Sequence, residues 1–279
     1  MPTRQAIRAE SAARMDPSFI ASTATGGSTS QLIDTVRLQR ANWPAERYKD
    51  AWIYFTATGD LVADNNTREV QTYAPSTGTC TQDGPVWSTA VTSSMTYELH
   101  KLLDPRDWNA AITRGLRKCT RRRREAITVV ANQLQYALTS YTWFEGRQQM
   151  LQVWHRTGST ANEYRFDEMP PWMWDIIEDD NGYTLSFKNA LSTASADAYF
   201  FDAIGPFDAL TTENHATTGT TSCPLDWIVA ATLVSAYELY GNRIEQGVRA
   251  ITKEDAFKEF ASLTGRWAPQ WSEPFECPD

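Results

Sequence analysis

Histidine is scarce in this chain: there are 3 among 279 residues, and His100, His155 and His215 stand far apart. No HExxH helix, paired His/Cys ligand set, GxSxG elbow or phosphate-binding glycine loop occurs, so neither metal-assisted nor nucleophilic catalysis is expected, and no cofactor. Cysteine is equally sparse. Cys80, Cys119, Cys223 and Cys277 form no CxxC pair, which argues for reduced, structural thiols rather than a zinc site or a disulfide framework. No apolar run approaches the roughly 18 residues of a membrane-spanning helix. Met1 to Glu10 lack the apolar core of a secretion signal, so synthesis in a cytoplasm is expected and Asn65-Asn66-Thr67 reads as an accidental glycosylation pattern. Positive charge is also in deficit. A net charge of -8 argues against a general nucleic-acid coat but leaves room for one local basic patch.

What the chain does have is tryptophan, 11 residues in all, a load that suits packed β surfaces, interfaces or a sugar-binding face. The order of elements predicts an α+β protein, a small helical bundle carrying two β-rich domains. Residues 1–20 read as an N-terminal arm with a short helix from Arg4 to Arg14, ended by Pro17. Residues 21–102 read as a small β module: Trp52-Ile53-Tyr54-Phe55 alternates, and Pro75-Ser76-Thr77-Gly78 is a turn in which proline presets one dihedral and glycine accepts a positive one. Asp104-Pro105-Arg106-Asp107 opens a helix with a capping aspartate and proline at the first position. That helix is expected within 103–124, burying Trp108, Ala111, Ile112, Gly115 and Cys119 on one side and showing Arg106, Arg117 and Arg121 on the other.

From 125 to 221 the period returns to two, and Ala126–Ala131, Gln135–Leu138, Met150–His155, Trp172–Ile177, Tyr183–Lys188 and Ala198–Ala203 read as strands of a β-sandwich-like domain. Glu178-Asp179-Asp180 precedes Asn181-Gly182 and reads as a turn between strands rather than a catalytic carboxylate pair. Residues 222–264 predict two helices. The first, Leu225 to Tyr240, is apolar nearly all round and ends at Gly241; the second carries Ala256, Phe257, Phe260 and Leu263 and stops at Gly265. Residues 265–279, with Trp267, Trp271 and Phe275 among prolines, read as an extended tail whose aromatics need a surface.

Gly26-Gly27-Ser28-Thr29-Ser30 to Asp34-Thr35, the Thr77-Gly78-Thr79 turn and the ending Tyr97-Glu98-Leu99-His100, followed by a helix, a β-rich segment and a helical pair, resemble the head-to-tail adaptor (neck) proteins of long-tailed bacteriophages. The resemblance covers about residues 20 to 264. It implies a structural virion protein at the head–tail interface, without catalysis, forming a ring, expected to be a dodecamer, between the portal and a tail or tail-completion protein. A closed ring needs two different complementary surfaces on each subunit. Trp227, Leu233, Tyr237 and Tyr240 are the candidates for one of them, with burial inside their own subunit as the competing reading. In several adaptor families the C-terminal tail docks on the portal, so the resemblance implies Trp267, Trp271 and Phe275 as docking candidates. Arg106, Arg117, Lys118, Arg121, Arg122, Arg123 and Arg124 are candidates either for non-specific contact with packaged DNA or for an acidic protein partner. The alternative function is a carbohydrate-binding or adhesin-like β protein, with Trp143, Trp154, Trp172 and Trp174 as platforms. Trp172 and Trp174 share strand parity, which favours a core role for both.

Overall fold

The computed structural model describes residues 2–56, 67–141, 143–145, 147–158, 165–180, 182–194, 197–207, 210 and 221–272. It is a mixed α/β protein with four α-helices among the described residues, and it divides into two compact units: residues 1–119 with 208–265, and residues 120–207 with 266–279.

The first unit begins with α1 (Arg4–Met15), whose N-cap Thr3 accepts from the Ala6 N–H through Oγ1 at 3.1 Å. Ile7, Arg8, Ser11, Ala12 and Met15 form its buried face at helical spacing. Asp16 follows, and its carboxylate accepts from the backbone N–H groups of Ser18, Lys101 and Leu102, fastening the end of the helix to the chain leaving the sheet. The arm expected at the N-terminus is therefore ordered against its own unit.

Seven strands make one antiparallel sheet: β1 (Ile20–Thr23), β2 (Gly26–Gly27), β3 (Gln31–Ile33), β4 (Trp52–Phe55), β5 (Arg68–Ala74), β6 (Thr79–Gln82) and β7 (Thr96–His100), in the order β1-β7-β4-β5-β6-β3-β2. Leu32, Leu38, Tyr48, Ile53, Phe55, Val70, Trp87, Tyr97 and Leu99 fill its core. Gly78 does take a positive φ of 66°, and a Cβ there would strike the Asp34 carbonyl. Asp34 in turn accepts from Val36 N–H, Arg37 N–H and the buried Tyr97 hydroxyl at 2.8, 2.9 and 2.7 Å. Burial raises its pKa, but these hydrogen bonds outweigh it and hold the carboxyl below its ordinary value.

The helix after the sheet, α2 (Pro105–Lys118), starts as expected on Asp104. It is shorter than the expected 103–124 span. At Cys119 the backbone turns extended (φ -87°, ψ 115°), and Arg121 to Arg124 fall on a strand. Five closely spaced cations on a helix repel at i,i+3 and i,i+4, whereas a strand sends alternate side chains to opposite faces.

α3 (Leu225–Gln246) packs on α1 and α2. Its apolar circumference is covered within the unit from Trp227 to Tyr237. The expected end at Gly241 is instead a kink at Tyr240 (φ -130°, ψ 21°), after which the helix resumes and stops at Gly247. α4 (Lys253–Ser272) likewise runs through Gly265 and on past the expected boundary of an extended tail. Neither glycine takes a positive φ, and without that conformation a glycine weakens a helix but does not cap it.

In the second unit, β8 (Thr120–Ile127), β10 (Met150–Thr157), β11 (Arg165–Glu168) and β14 (Ala198–Pro206) form a sheet in the order β11-β10-β14-β8, while β9 (Gln135–Ala137), β12 (Trp174–Asp179) and β13 (Gly182–Phe187) form another in the order β12-β13-β9. Tyr136, Val153, Leu185, Phe187, Tyr199 and Phe201 from both sheets meet in one core. Five of these strands, β9, β10, β12, β13 and β14, follow the alternation in the sequence, whereas β8 runs from Thr120 to Ile127 and meets the expected Ala126–Ala131 strand only at its last two residues. β11 does not follow the alternation, because Arg-Phe-Asp-Glu is a polar edge strand with almost no apolar face.

Candidate functional site

The buried side of α2 comprises Trp108, Ala111, Ile112, Gly115 and Leu116. Its other side projects Ala110, Thr113, Arg114, Arg117 and Lys118. With Arg4 of α1 and Leu239 of α3, these residues line an open groove of about 720 Å³. Four cations therefore converge in a chain whose net charge is -8. Glu238 faces two of them, accepting from Arg114 Nε at 3.0 Å and Lys118 Nζ at 2.9 Å. Partial burial raises the Glu238 pKa, and the two cations more than offset it, so the carboxyl sits below its ordinary value and stays ionised. Arg117 is exposed and forms no ion pair among the described residues. A planar guanidinium left free beside a lysine and flanked by apolar Leu239 and Ala110 is suited to a carboxylate-bearing or phosphate-bearing partner with some apolar surface.

Of the sequence candidates, Arg117 and Lys118 belong to this groove. Arg114 was legible too, since it stands at i,i+3 and i,i+4 from them. Arg4 and Glu238 come from distant segments, and no local pattern announces them. Arg106 is exposed at the other end of α2, where its N–H donates to the Asp104 cap.

The arginine run belongs to the second unit and is largely internal. Asp202 of β14 is fully buried and accepts from five donors. Arg122 Nε and Nη2 approach at 3.1 and 2.6 Å, Arg124 Nε and Nη2 at 2.8 and 2.9 Å, and Trp154 Nε1 at 2.8 Å. Arg122 also donates to Gln152 at 2.5 Å. Burial raises the Asp202 pKa, but hydrogen bonds and charge from Arg124 and Arg122 dominate and depress it. On the opposite face of β8, Arg123 lies 4.8 Å from the Trp143 ring centroid and donates to the Pro206 carbonyl, and Arg121 lies 5.2 Å from that of Phe207. Arg122 and Arg124, expected to meet DNA or a partner, are thus consumed by an internal carboxylate.

The candidates for a subunit interface are corrected in the same way. Trp227, Leu233 and Tyr237 are buried. Trp227 Nε1 donates to Thr264 Oγ1 at 3.1 Å, and the Tyr237 hydroxyl donates to the Ile251 carbonyl at 2.6 Å. The competing reading, burial within their own subunit, holds for these three. Tyr240 remains half-exposed at the kink of α3. Of the tail candidates, Trp267 lies on α4 with Arg266 4.9 Å from its ring centroid, while the Trp271 side chain and Phe275 lie outside the described residues, as do His215, Cys277, Asn65 and Asn66.

His100 is buried against Glu98, and His155 stacks on Tyr199 with ring centroids 4.5 Å apart. Among the described residues no group of three or more His, Cys, Asp or Glu side chains is placed to hold a metal ion. Among the described residues no helix is long and apolar enough to cross a membrane. No family model matches the chain, and no curated protein matches it.

Proposed function

We propose that the chain is a structural protein of a tailed-phage virion, a head-to-tail adaptor made in the host cytoplasm and placed at the neck. In this reading a small helical bundle carries two β-rich domains. The subunits close into a ring between the portal and a tail or tail-completion protein, around the passage taken by packaged DNA. The observation that carries it is the groove of Arg4, Arg114, Arg117 and Lys118 on the outer side of the helices of an acidic chain. It is a surface for recognition by charge and shape, and apart from Arg4 of α1 its residues lie on helices that follow the adaptor-like β module ending at His100. The groove is one contact region of this reading, and the C-terminal segment bearing Trp267, Trp271 and Phe275 is the other.

Three measurements test this. Mass photometry of the purified chain should find a closed multimer of one size, alone or with the portal of the same virion, and co-purification should recover that portal. Arg117→Glu with Lys118→Glu should weaken portal recovery at least tenfold without changing the far-ultraviolet circular dichroism. Truncation after Gly265 keeps Thr264, the partner of the Trp227 indole, and should leave a folded protein absent from virions. A strict monomer that ignores the portal, or undiminished portal recovery by the charge variant together with undiminished incorporation of the truncated chain, would sink the proposal.

A further inference from the structure

Four tryptophans of the second unit are candidate sugar platforms, and three of them are committed to the protein. The Trp143 ring lies so close to Gly205 that a Cβ on that glycine would come within 2.5 Å of it. Trp154 donates to Asp202 at 2.8 Å, and Trp174 donates to the Met169 carbonyl at 3.3 Å. Trp172 differs from all three. It is 64% exposed, and its indole N–H has no protein partner among the described residues.

Trp172 does not share a strand face with Trp174, as their spacing predicts, because Trp172 is not on a strand. It sits in the single helical turn Pro171–Met173, and β12 starts only at Trp174. Pro170 and Pro171 fix the backbone before it, and the turn is closed by Met173 N–H to the Pro170 carbonyl at 2.9 Å and held to the chain just after β13 by Lys188 N–H to the Met173 carbonyl at 3.0 Å. The exposed ring is thus mounted on a rigid element.

Beside it opens a cleft of about 290 Å³, lined by Trp172, Trp174, Asp175, Ser186, Phe187 and Lys188. The Lys188 ammonium stands 5.5 Å from the Trp172 ring centroid, and Asp175 and Ser186 are paired across the β12–β13 ladder. An indole face, a carboxylate, a hydroxyl and an ammonium therefore surround a space near the small end of the range for small-molecule sites.

We propose that this cleft binds a pyranose unit of a glycan. The C–H face of a pyranose stacks on the indole, where a flat apolar surface with a negative π-face receives weakly positive hydrogens. Its hydroxyls need short, mixed donors and acceptors at the rim: Asp175 accepts, Lys188 donates, Ser186 does both, and the Trp172 N–H adds a donor. Opposite charges at the rim leave the site without a strong preference for ionic ligands and favour a neutral sugar ring. The inference does not depend on the adaptor reading, because it rests on the second unit alone.

A microarray of bacterial and animal glycans, probed with the full chain and with Trp172→Ala, tests the site. The wild type should retain at least one set of pyranosides, and Trp172→Ala should lose about tenfold or more in affinity for them, with Trp172→Tyr recovering most of the signal. Asp175→Asn and Lys188→Ala should change which sugars are held. Because Trp172, Asp175 and Lys188 are exposed, all of these variants should melt with the wild type. Retention of no glycan by the wild type, unchanged retention by Trp172→Ala, or loss of a protein partner rather than a sugar in that variant would overturn the proposal.

Discussion

Arg8 and Glu98 lie 90 residues apart in the chain, and both side chains are almost wholly buried, with Arg8 Nε donating to Glu98 Oε2 at 2.6 Å. His100 Nε2 approaches the same oxygen at 3.0 Å, Arg8 Nη1 donates to Asn109 Oδ1 at 2.9 Å, and the guanidinium lies 4.5 Å from the Tyr54 ring centroid. One ion pair thereby fastens α1 to the sheet and to α2. Burial raises the Glu98 pKa, but the Arg8 charge and the His100 hydrogen bond outweigh it, so the folded value lies below the unfolded one. A carboxyl depressed in this way stabilises the fold fully above its unfolded pKa, near 4.3, and loses that contribution as pH falls through the folded value. Asp202 has the same sign in the second unit. The melting temperature should therefore be nearly flat from about pH 7 to pH 5 and drop below about pH 4. Glu98→Gln should cost about 3–5 kcal/mol in urea titration, because it strands a buried guanidinium, and should flatten the acid limb of the first unit. A neutral variant would mean that Arg8 finds another partner. None of this was legible in the sequence, since the pairs are non-local and each residue alone looks like an ordinary surface charge. Trp172 misled for a different reason: two prolines before it convert an apparent strand into a turn.

Helix α2 was the most legible element, because Asp104 and Pro105 announce its start and its apolar residues keep a 3.6 period. The ends of α3 and α4 were not. Glycine in a sequence signals a stop only when the chain can use its left-handed conformation, and that is decided by tertiary packing. The glycines of these helices consequently divide into two kinds. At Gly115 an added Cβ would lie 3.0 Å from Thr232 N and 3.1 Å from the Ala231 carbonyl carbon, so the backbones of α2 and α3 touch there. At Gly241 nothing lies within 4 Å. Gly115→Ala should destabilise the protein by about 1–3 kcal/mol despite the better helix propensity of alanine, because backbone cannot yield as a side chain can. Gly241→Ala should stabilise it by roughly 0.5–1 kcal/mol. Urea midpoints compare the two directly, and stabilisation by Gly115→Ala would contradict the close crossing there.

At the scale of the whole chain, the sequence reads as elements in series, a β module, a helix, a second β region and further helices. The contacts regroup them. α1, α2 and α3 pack together although more than a hundred residues separate the last two, and residues 120–207, the larger part of the second unit, are inserted between them in the chain. That grouping depends on non-local packing and leaves no periodicity to read. The insertion has a simple consequence. The larger part of the second unit, residues 120–207, opens at Thr120 and its last strand ends at Pro206; these two residues are partners in the β8–β14 ladder, so their Cα atoms are about 5 Å apart. A gap of that size is bridged by a few residues, and the loop-closure cost of a short flexible linker is small. Replacing residues 120–207 with about four glycine and serine residues should leave the first unit with its own core of Leu32, Phe55, Trp87 and Leu99 and its helices intact. The excised protein should unfold in a single cooperative step in urea, retain the helical signal in circular dichroism, and keep whatever partner the basic groove of α2 engages. It should lose all glycan binding, since Trp172 leaves with the insertion. A non-cooperative transition would show that residues 120–207 are integral to the first unit, and glycan binding that survived the excision would move the sugar site away from Trp172.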